Sequence, residues 1–257
     1  MLRQNTFQWY RDVLAVLVRK EVTVRYKNSY LGFLWSLLNP LASALVLNLV
    51  FGVILNFGSE NYLIVLLSGL FPWQWFSNSV GQSPFSFLAN VTLVKQIQFP
   101  RLLIPLVTVL SDGVHFIISI PVFVMFLYMY NLSPTWIWVY GIPLLMFISI
   151  LTIYGVCLFV ATINMFFRDL GNLVIILLNL LFYATPIMYS IDKMPENFRD
   201  FLVFNPISPL FISWRNILFL NKIDMQSIYM SLLYACVFIV IGFFVYHIFN
   251  KRFAEVM

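Results

Sequence analysis

The sequence predicts an all-α polytopic membrane protein, and three observations carry that expectation. Of 257 residues, 61% are hydrophobic and only 10% charged, against about 25% charged in soluble domains. From Leu31 to Phe57 there is no Lys, Arg, Asp or Glu, and at ~1.5 Å rise per residue that run exceeds a hydrocarbon core of ~30 Å. Comparable runs follow it to the C-terminus. The length holds one bundle with no sizeable soluble domain, so a single transmembrane domain is expected over 1–257.

Residues 6–27 read as an amphipathic helix, with Tyr10, Val13, Leu14, Leu17 and Val24 on one arc and Asp12, Arg19 and Thr23 opposite. Such a helix lies along a membrane surface, and Arg3, Arg11, Arg19, Lys20, Arg25 and Lys27 suit an anionic cytoplasmic leaflet. Glu21 and Arg25 fall inside the apolar arc. They are either a local i,i+4 ion pair or a polar contact with a partner. Charge is mixed throughout residues 1–27, so no cleavable signal peptide is expected.

Six spans are expected, at about 32–57, 62–88, 102–130, 136–165, 173–190 and 228–249. Phe71-Pro-Trp-Gln-Trp75 and Pro84 should interrupt or kink the second. The 89–101 connection carries Lys95 and Arg101 with no acid, and is read as cytoplasmic. The third span carries Asp112 and His115 one turn apart. An ionisable pair at that depth is a functional candidate, although pairing with a neighbouring helix for packing is the favoured reading. Trp136 and Trp138 are placed at the interface as an aromatic belt. A tight charged turn with Arg168 and Asp169 follows the fourth span. Pro206, Pro209 and Arg215 argue against a straight span over 195–220, which is read as a re-entrant periplasmic hairpin between spans five and six. With six spans both termini are cytoplasmic, leaving eleven basic residues inside and four outside.

Cys157 and Cys236 sit in apolar runs without metal or disulfide spacing, and are read as small buried hydrophobes. No metal site, no cofactor site and no nucleic-acid surface is expected. Phosphate-loop, zinc-protease and serine-hydrolase motifs are absent. An intramembrane enzyme would have only Asp112 and His115 to work with, and no positioned nucleophile. The chain reads as a transport subunit without an energy source of its own.

Arg25-Tyr-Lys-Asn-Ser-Tyr-Leu-Gly-Phe-Leu-Trp-Ser-Leu-Leu-Asn-Pro-Leu41 resembles the entry signature of ABC-2 type permeases of the polysaccharide exporter group (O-antigen, capsule, teichoic acid). Further matches occur in order at Phe71-Pro-Trp-Gln-Trp-Phe76, Ile97-Gln-Phe-Pro-Arg-Leu-Leu-Ile-Pro-Leu106, Phe166-Phe-Arg-Asp-Leu-Gly-Asn172, Ala184-Thr-Pro-Ile-Met-Tyr189 and Asn205-Pro-Ile-Ser-Pro209. Each is weak alone; their order along nearly the whole chain is specific. The resemblance implies a homodimer docked on two copies of an ATP-binding cassette subunit, with ATP and Mg bound there. It further implies export of an undecaprenyl-linked polysaccharide, most simply O-antigen, across the bacterial inner membrane. Exporters of teichoic acid, drugs or small lipids share the fold and stay open.

The resemblance also suggests that the N-terminal helix and the 89–101 loop meet the ATPase subunit, with the 166–172 turn as a second contact. Arg11, Glu21, Arg25, Lys95, Arg101, Arg168 and Asp169 are the candidate contact residues. One six-helix bundle has little room for a polymer, so the path is expected on the dimer axis. The 27 Phe, 13 Tyr and 7 Trp offer flat apolar faces for sliding sugars. Trp35, Trp73, Trp75, Tyr183, Tyr189 and Trp214, near proline breaks or the hairpin, are the channel or gate candidates. Gly32 and Pro40 bracket Trp35 as a hinge.

Overall fold

A computed structural model describes residues 6–27, 29–30, 32–56, 61–94, 99–189 and 205–253. Lys95 and residues 195–204 of the expected hairpin lie outside them. The described residues form helices and no strand: α1 (Thr6–Arg25), α2 (Leu34–Leu47) running on as a π-helix (Asn48–Ile54), and α3 (Tyr62–Gln82). A 3₁₀ turn (Ser83–Phe85) and two single turns, α4 (Ser86–Ala89) and α5 (Val91–Val94), lead to α6 (Leu103–Met129) and α7 (Ile137–Asn164). Then come α8 (Leu170–Ala184), α9 (Ser208–Leu218) and α10 (Met225–Phe249).

Among the described residues, four stretches are long and apolar enough to cross a membrane: Leu34–Ile54, Leu103–Met129, Ile137–Asn164 and Met225–Arg252. α3 has the length, 21 residues, but is too polar in its second half, where Gln74, Ser77, Asn78, Ser79 and Gln82 stand. Protein, rather than lipid, solvates it: the run from Leu63 to Trp73 is buried throughout, against α2, α6, α7, α8 and α9. α8 has 15 residues, about 22 Å of helix.

α3 passes through Pro72 without the expected interruption. The break comes at Pro84, inside the 3₁₀ turn. Pro72 is itself buried, and proline is tolerated within a helix where neighbouring protein surrounds the freed carbonyl.

Aromatic rings build the core around α3. Trp75 stacks on Phe116 at 5.2 Å between centroids, and Phe116 meets Trp214 edge-on at 4.9 Å. Trp73 packs against Phe76, Phe182 and Phe211. Trp138 is buried on Phe123, its indole N–H donating to Asn221 Oδ1 at 3.2 Å. It is not a belt residue; Trp136, 86% exposed, fits that role. Cys157 is buried as expected, whereas Cys236 is on the outside of α10.

α7 and α10 form the most extensive helix pair, and small residues permit it. A Cβ at Gly155 would stand 2.5 Å from the Phe238 carbonyl carbon, and one at Gly242 2.5 Å from the Gly155 carbonyl oxygen. Backbone therefore lies on backbone, the close approach that small residues allow inside membranes.

α6 ends in a Schellman-type cap: Asn131, at φ 57°, turns the chain so that Leu132 N–H donates to Leu127 O at 2.9 Å. Gly32, at φ 47°, turns the chain between α1 and α2, and nothing but Ser29 O comes within 4.0 Å of an added Cβ. Any cost of Gly32→Ala is then backbone conformation alone, about 1 kcal/mol for an L-residue held left-handed. A small drop in thermal unfolding midpoint, with the chain still inserted, is the expected result.

Candidate functional site

The α1–α3–α6 junction brings Arg25, Asp112 and His115 together. α1 half-buries a stripe of Val13, Leu14, Leu17, Val18, Glu21, Val22 and Arg25, while Tyr10 and Val24 stay exposed. The packed face is thus rotated from the arc expected on hydrophobicity. Arg25, at the end of that stripe, donates to Asp112 Oδ1 on α6 at 2.5 Å and to Gln82 Oε1 at 3.0 Å. Ser79 Oγ donates to the other carboxylate oxygen at 2.8 Å. Asp112 is 1% exposed and Arg25 21%, so one partner is sealed in protein while the other reaches it from the edge. Burial opposes the Arg25 charge, but the Asp112 carboxylate outweighs it and holds the guanidinium above its ordinary pKa.

Next to this pair, the Tyr26 hydroxyl lies 3.2 Å from His115 Nε2, and Phe33 covers the imidazole at 4.6 Å between centroids. A chamber of 20 Å³ lies between Ser36, Gln74, Asn78, Asp112, His115 and Ser119, large enough for one water. Asp112 and His115 are not bonded to each other: each is held by the α1 end of the chain.

A second polar knot ties the 83–90 turns to α7 and α8. Asn164, fully buried, donates to Pro84 O at 2.7 Å and accepts from Gly171 N–H at 3.0 Å. Asn164→Ala would orphan a buried carbonyl and a buried N–H, a loss of about 1–3 kcal/mol. Asn164→Asp, which sets a buried carboxylate against the Pro84 carbonyl with no cation beside it, should lose at least as much; thermal unfolding in detergent ranks the three. Alongside, Phe253 packs against Phe87, Phe166 and Tyr246. Arg101 donates to Asn250 O at 3.2 Å and lies 6.0 Å from the Phe253 ring centre. A cleft of 240 Å³ opens between Leu17, Lys20 and Glu21 of α1 and the 85–93 turns.

At the other end of the bundle, Arg215 of α9 is buried and donates to the Tyr189 and Ile187 carbonyls at 2.8 and 2.7 Å. Tyr62 donates to the intervening Met188 carbonyl at 2.7 Å. These carbonyls follow the C-terminus of α8, where no helical partner remains for them. No group of three or more His, Cys, Asp or Glu able to hold a metal occurs among the described residues.

Residues 12–219 match the model of the ABC-2 type transporter family. The chain belongs to the ABC-2 type transporter family. It is 41% identical over 248 residues to the O-antigen export system permease protein RfbA of Klebsiella pneumoniae, covering 96% of this chain and 95% of that one. It is 33% identical to RfbA of Myxococcus xanthus over 95% of this chain and 93% of the other. To the polysialic acid transport protein KpsM of Escherichia coli it is 23% identical over 80% of this chain and 81% of that protein. Family and apolar helices together make it a multi-pass membrane protein.

Within this ABC-2 chain, the six aromatic candidates divide. Trp73, Trp75 and Trp214 are 7%, 2% and 0% exposed. They are core side chains of the protomer: Trp75 donates to Val109 O and Trp214 to Ser149 Oγ. Neighbouring prolines drew attention to them, but α3 runs unbroken through Pro72 and its rings fill the core. Trp35 and Tyr183 are 50% and 66% exposed, and Tyr189 is half-buried, its hydroxyl donating to Tyr183 O. Arg11, paired with Asp12, and Arg168 and Asp169 are exposed; Glu21 lines the cleft. Arg25 turns inward to Asp112, and Arg101 is engaged with the C-terminal turn. Ser79, Gln82, Tyr26 and Asn164 escaped sequence reasoning. Asn164, a lone amide closing a long apolar run, was the one detectable signal among them.

Proposed function

We propose that the chain is the permease subunit of an exporter that moves a lipid-linked polysaccharide, O-antigen above others, across the inner membrane. ATP hydrolysis in a separate cassette subunit drives it. The observation that carries the reading is the 41% identity to an O-antigen export permease over nearly the full length of both chains. The weaker likeness to a polysialic acid transporter favours polysaccharide over drugs as cargo. In this reading ATP and Mg belong to the partner, and the chain itself performs no covalent step.

The working unit is a homodimer, with the polymer path on its axis. Six crossings per subunit follow if α3 and α8 cross beside the four long stretches. That count leaves both termini cytoplasmic and agrees with the basic-residue asymmetry. α9 belongs to the re-entrant element expected over 195–220 on the outer side. Its proline-led start and buried Arg215 suit a helix that dips in without crossing. The ATPase subunit presses on the cleft face of α1, on the 89–101 segment and on the exposed Arg168 and Asp169. Exposed Trp35 and Tyr183, with Tyr189, are the remaining wall candidates. Arg25–Asp112 would transmit the push, since it ties the surface helix directly to α6.

Deleting the chain is expected to remove long polysaccharide from the cell surface and to accumulate it, lipid-linked, inside the cell. A tagged copy should restore export and co-purify with a cassette ATPase. Unchanged surface polysaccharide in the deletion strain would overturn the reading.

A further inference from the structure

An apolar groove of 610 Å³ runs between α1 and the α6–α7 pair. Val18 and Val22 form the α1 wall, Trp75 the base, and Val114, Ile117 and Ile150 the far wall. Its polar lining residues, Arg11, Arg19 and Thr23, all belong to α1, and it contains no carboxylate. One edge is therefore cationic and the rest hydrocarbon. Thr23 is satisfied by the Arg19 carbonyl. The Arg19 guanidinium has no anionic partner among the described residues, and Arg11 has only its exposed neighbour Asp12, a kind of pair that contributes little.

Ile117 and Ile150 stand about half-way along α6 and α7. The groove thus reaches from the surface helix to mid-bundle, the depth of one leaflet, ~15 Å of a ~30 Å core. That matches the tail of an ordinary phospholipid better than a polyprenyl chain, which is several times longer. We propose that this groove binds an anionic phospholipid of the leaflet against which α1 lies, its acyl chain between Val18 and Val114 and its phosphate at Arg19 and Arg11. Such a lipid seats α1 from Arg11 to Thr23, while the Arg25–Asp112 pair anchors its end. The proposal does not depend on which molecule the chain transports.

The test is native mass spectrometry of the full-length chain in detergent, titrated with dioleoyl phosphatidylglycerol or dioleoyl phosphatidylcholine. Retention of the anionic lipid should exceed that of the zwitterionic one by roughly thirtyfold, as two cations near an anionic headgroup would give. R11Q/R19Q should abolish the preference and R11K/R19K keep most of it. Asp12→Asn, which releases Arg11, should increase it, and Ala15→Phe, which fills the groove, should lower retention of both lipids. Equal retention by the unsubstituted chain, or a preference that survives R11Q/R19Q, overturns the proposal. Displacement of phosphatidylglycerol by equimolar undecaprenyl phosphate also overturns it, by assigning the groove to a polyprenyl lipid.

Discussion

Arg25→Gln is expected to destabilise the chain by about 3 kcal/mol and to abolish export, because it leaves the Asp112 carboxylate buried without its cation. The estimate sits at the low end for a broken buried pair because Arg25 keeps a fifth of its side chain in contact with the outside. Ser79 remains as a donor to the second oxygen, but one hydroxyl cannot neutralise a charge. The informative comparison is the double variant R25Q/D112N, in which two neutral amides replace the ions. It should recover a large part of the loss in thermal unfolding, since the uncompensated charge is gone. Export should stay impaired if the pair carries motion from α1 to α6. Recovery of export along with stability would mean the pair is only a packing device. Simple additivity of the two single losses would mean the groups are not coupled at all.

Gly155→Val should be at least as damaging, and for a different reason. The atoms that an added Cβ would meet are the Phe238 carbonyl carbon and oxygen and the Ile239 nitrogen, all within 2.7 Å. They are backbone, so no rotamer change relieves the overlap, and α7 and α10 must separate along their whole contact. Overpacking typically costs about 1–3 kcal/mol, and with a rigid partner about 3 kcal/mol or more is expected here. Gly242→Val should behave alike, because its Cβ would strike the Gly155 carbonyl oxygen at 2.5 Å. The measurement is the amount of folded chain in membranes and its unfolding midpoint. Near-normal values for either variant would show that the two helices do not meet backbone to backbone.

These two cases mark how far the sequence could be read. Asp112 and Arg25 were both conspicuous, being ionisable groups on faces otherwise apolar. What was hidden was that they answer each other across 87 positions of sequence; local spacing instead offered Glu21 to Arg25 and His115 to Asp112. Gly155 carried no signal of its own, since a glycine in a hydrophobic run looks the same whether it faces lipid or another backbone. Trp73, Trp75 and Trp214 drew attention through nearby prolines, yet inside the protomer they are packed as core rings.

Hydrophobic runs, their interruptions and the basic residues between them are properties of short stretches of chain. The sequence alone therefore determined that this is an all-helical membrane protein led by an amphipathic helix, and ordered motifs alone were enough to assign its family. Which face of α1 is packed, which carboxylate answers Arg25, and which rings are buried depend on neighbours tens of residues away. In a chain that is apolar almost everywhere, hydrophobicity no longer tells inside from outside. Only the tertiary structure, by bringing α3 into the centre and laying α1 across α6, decided those.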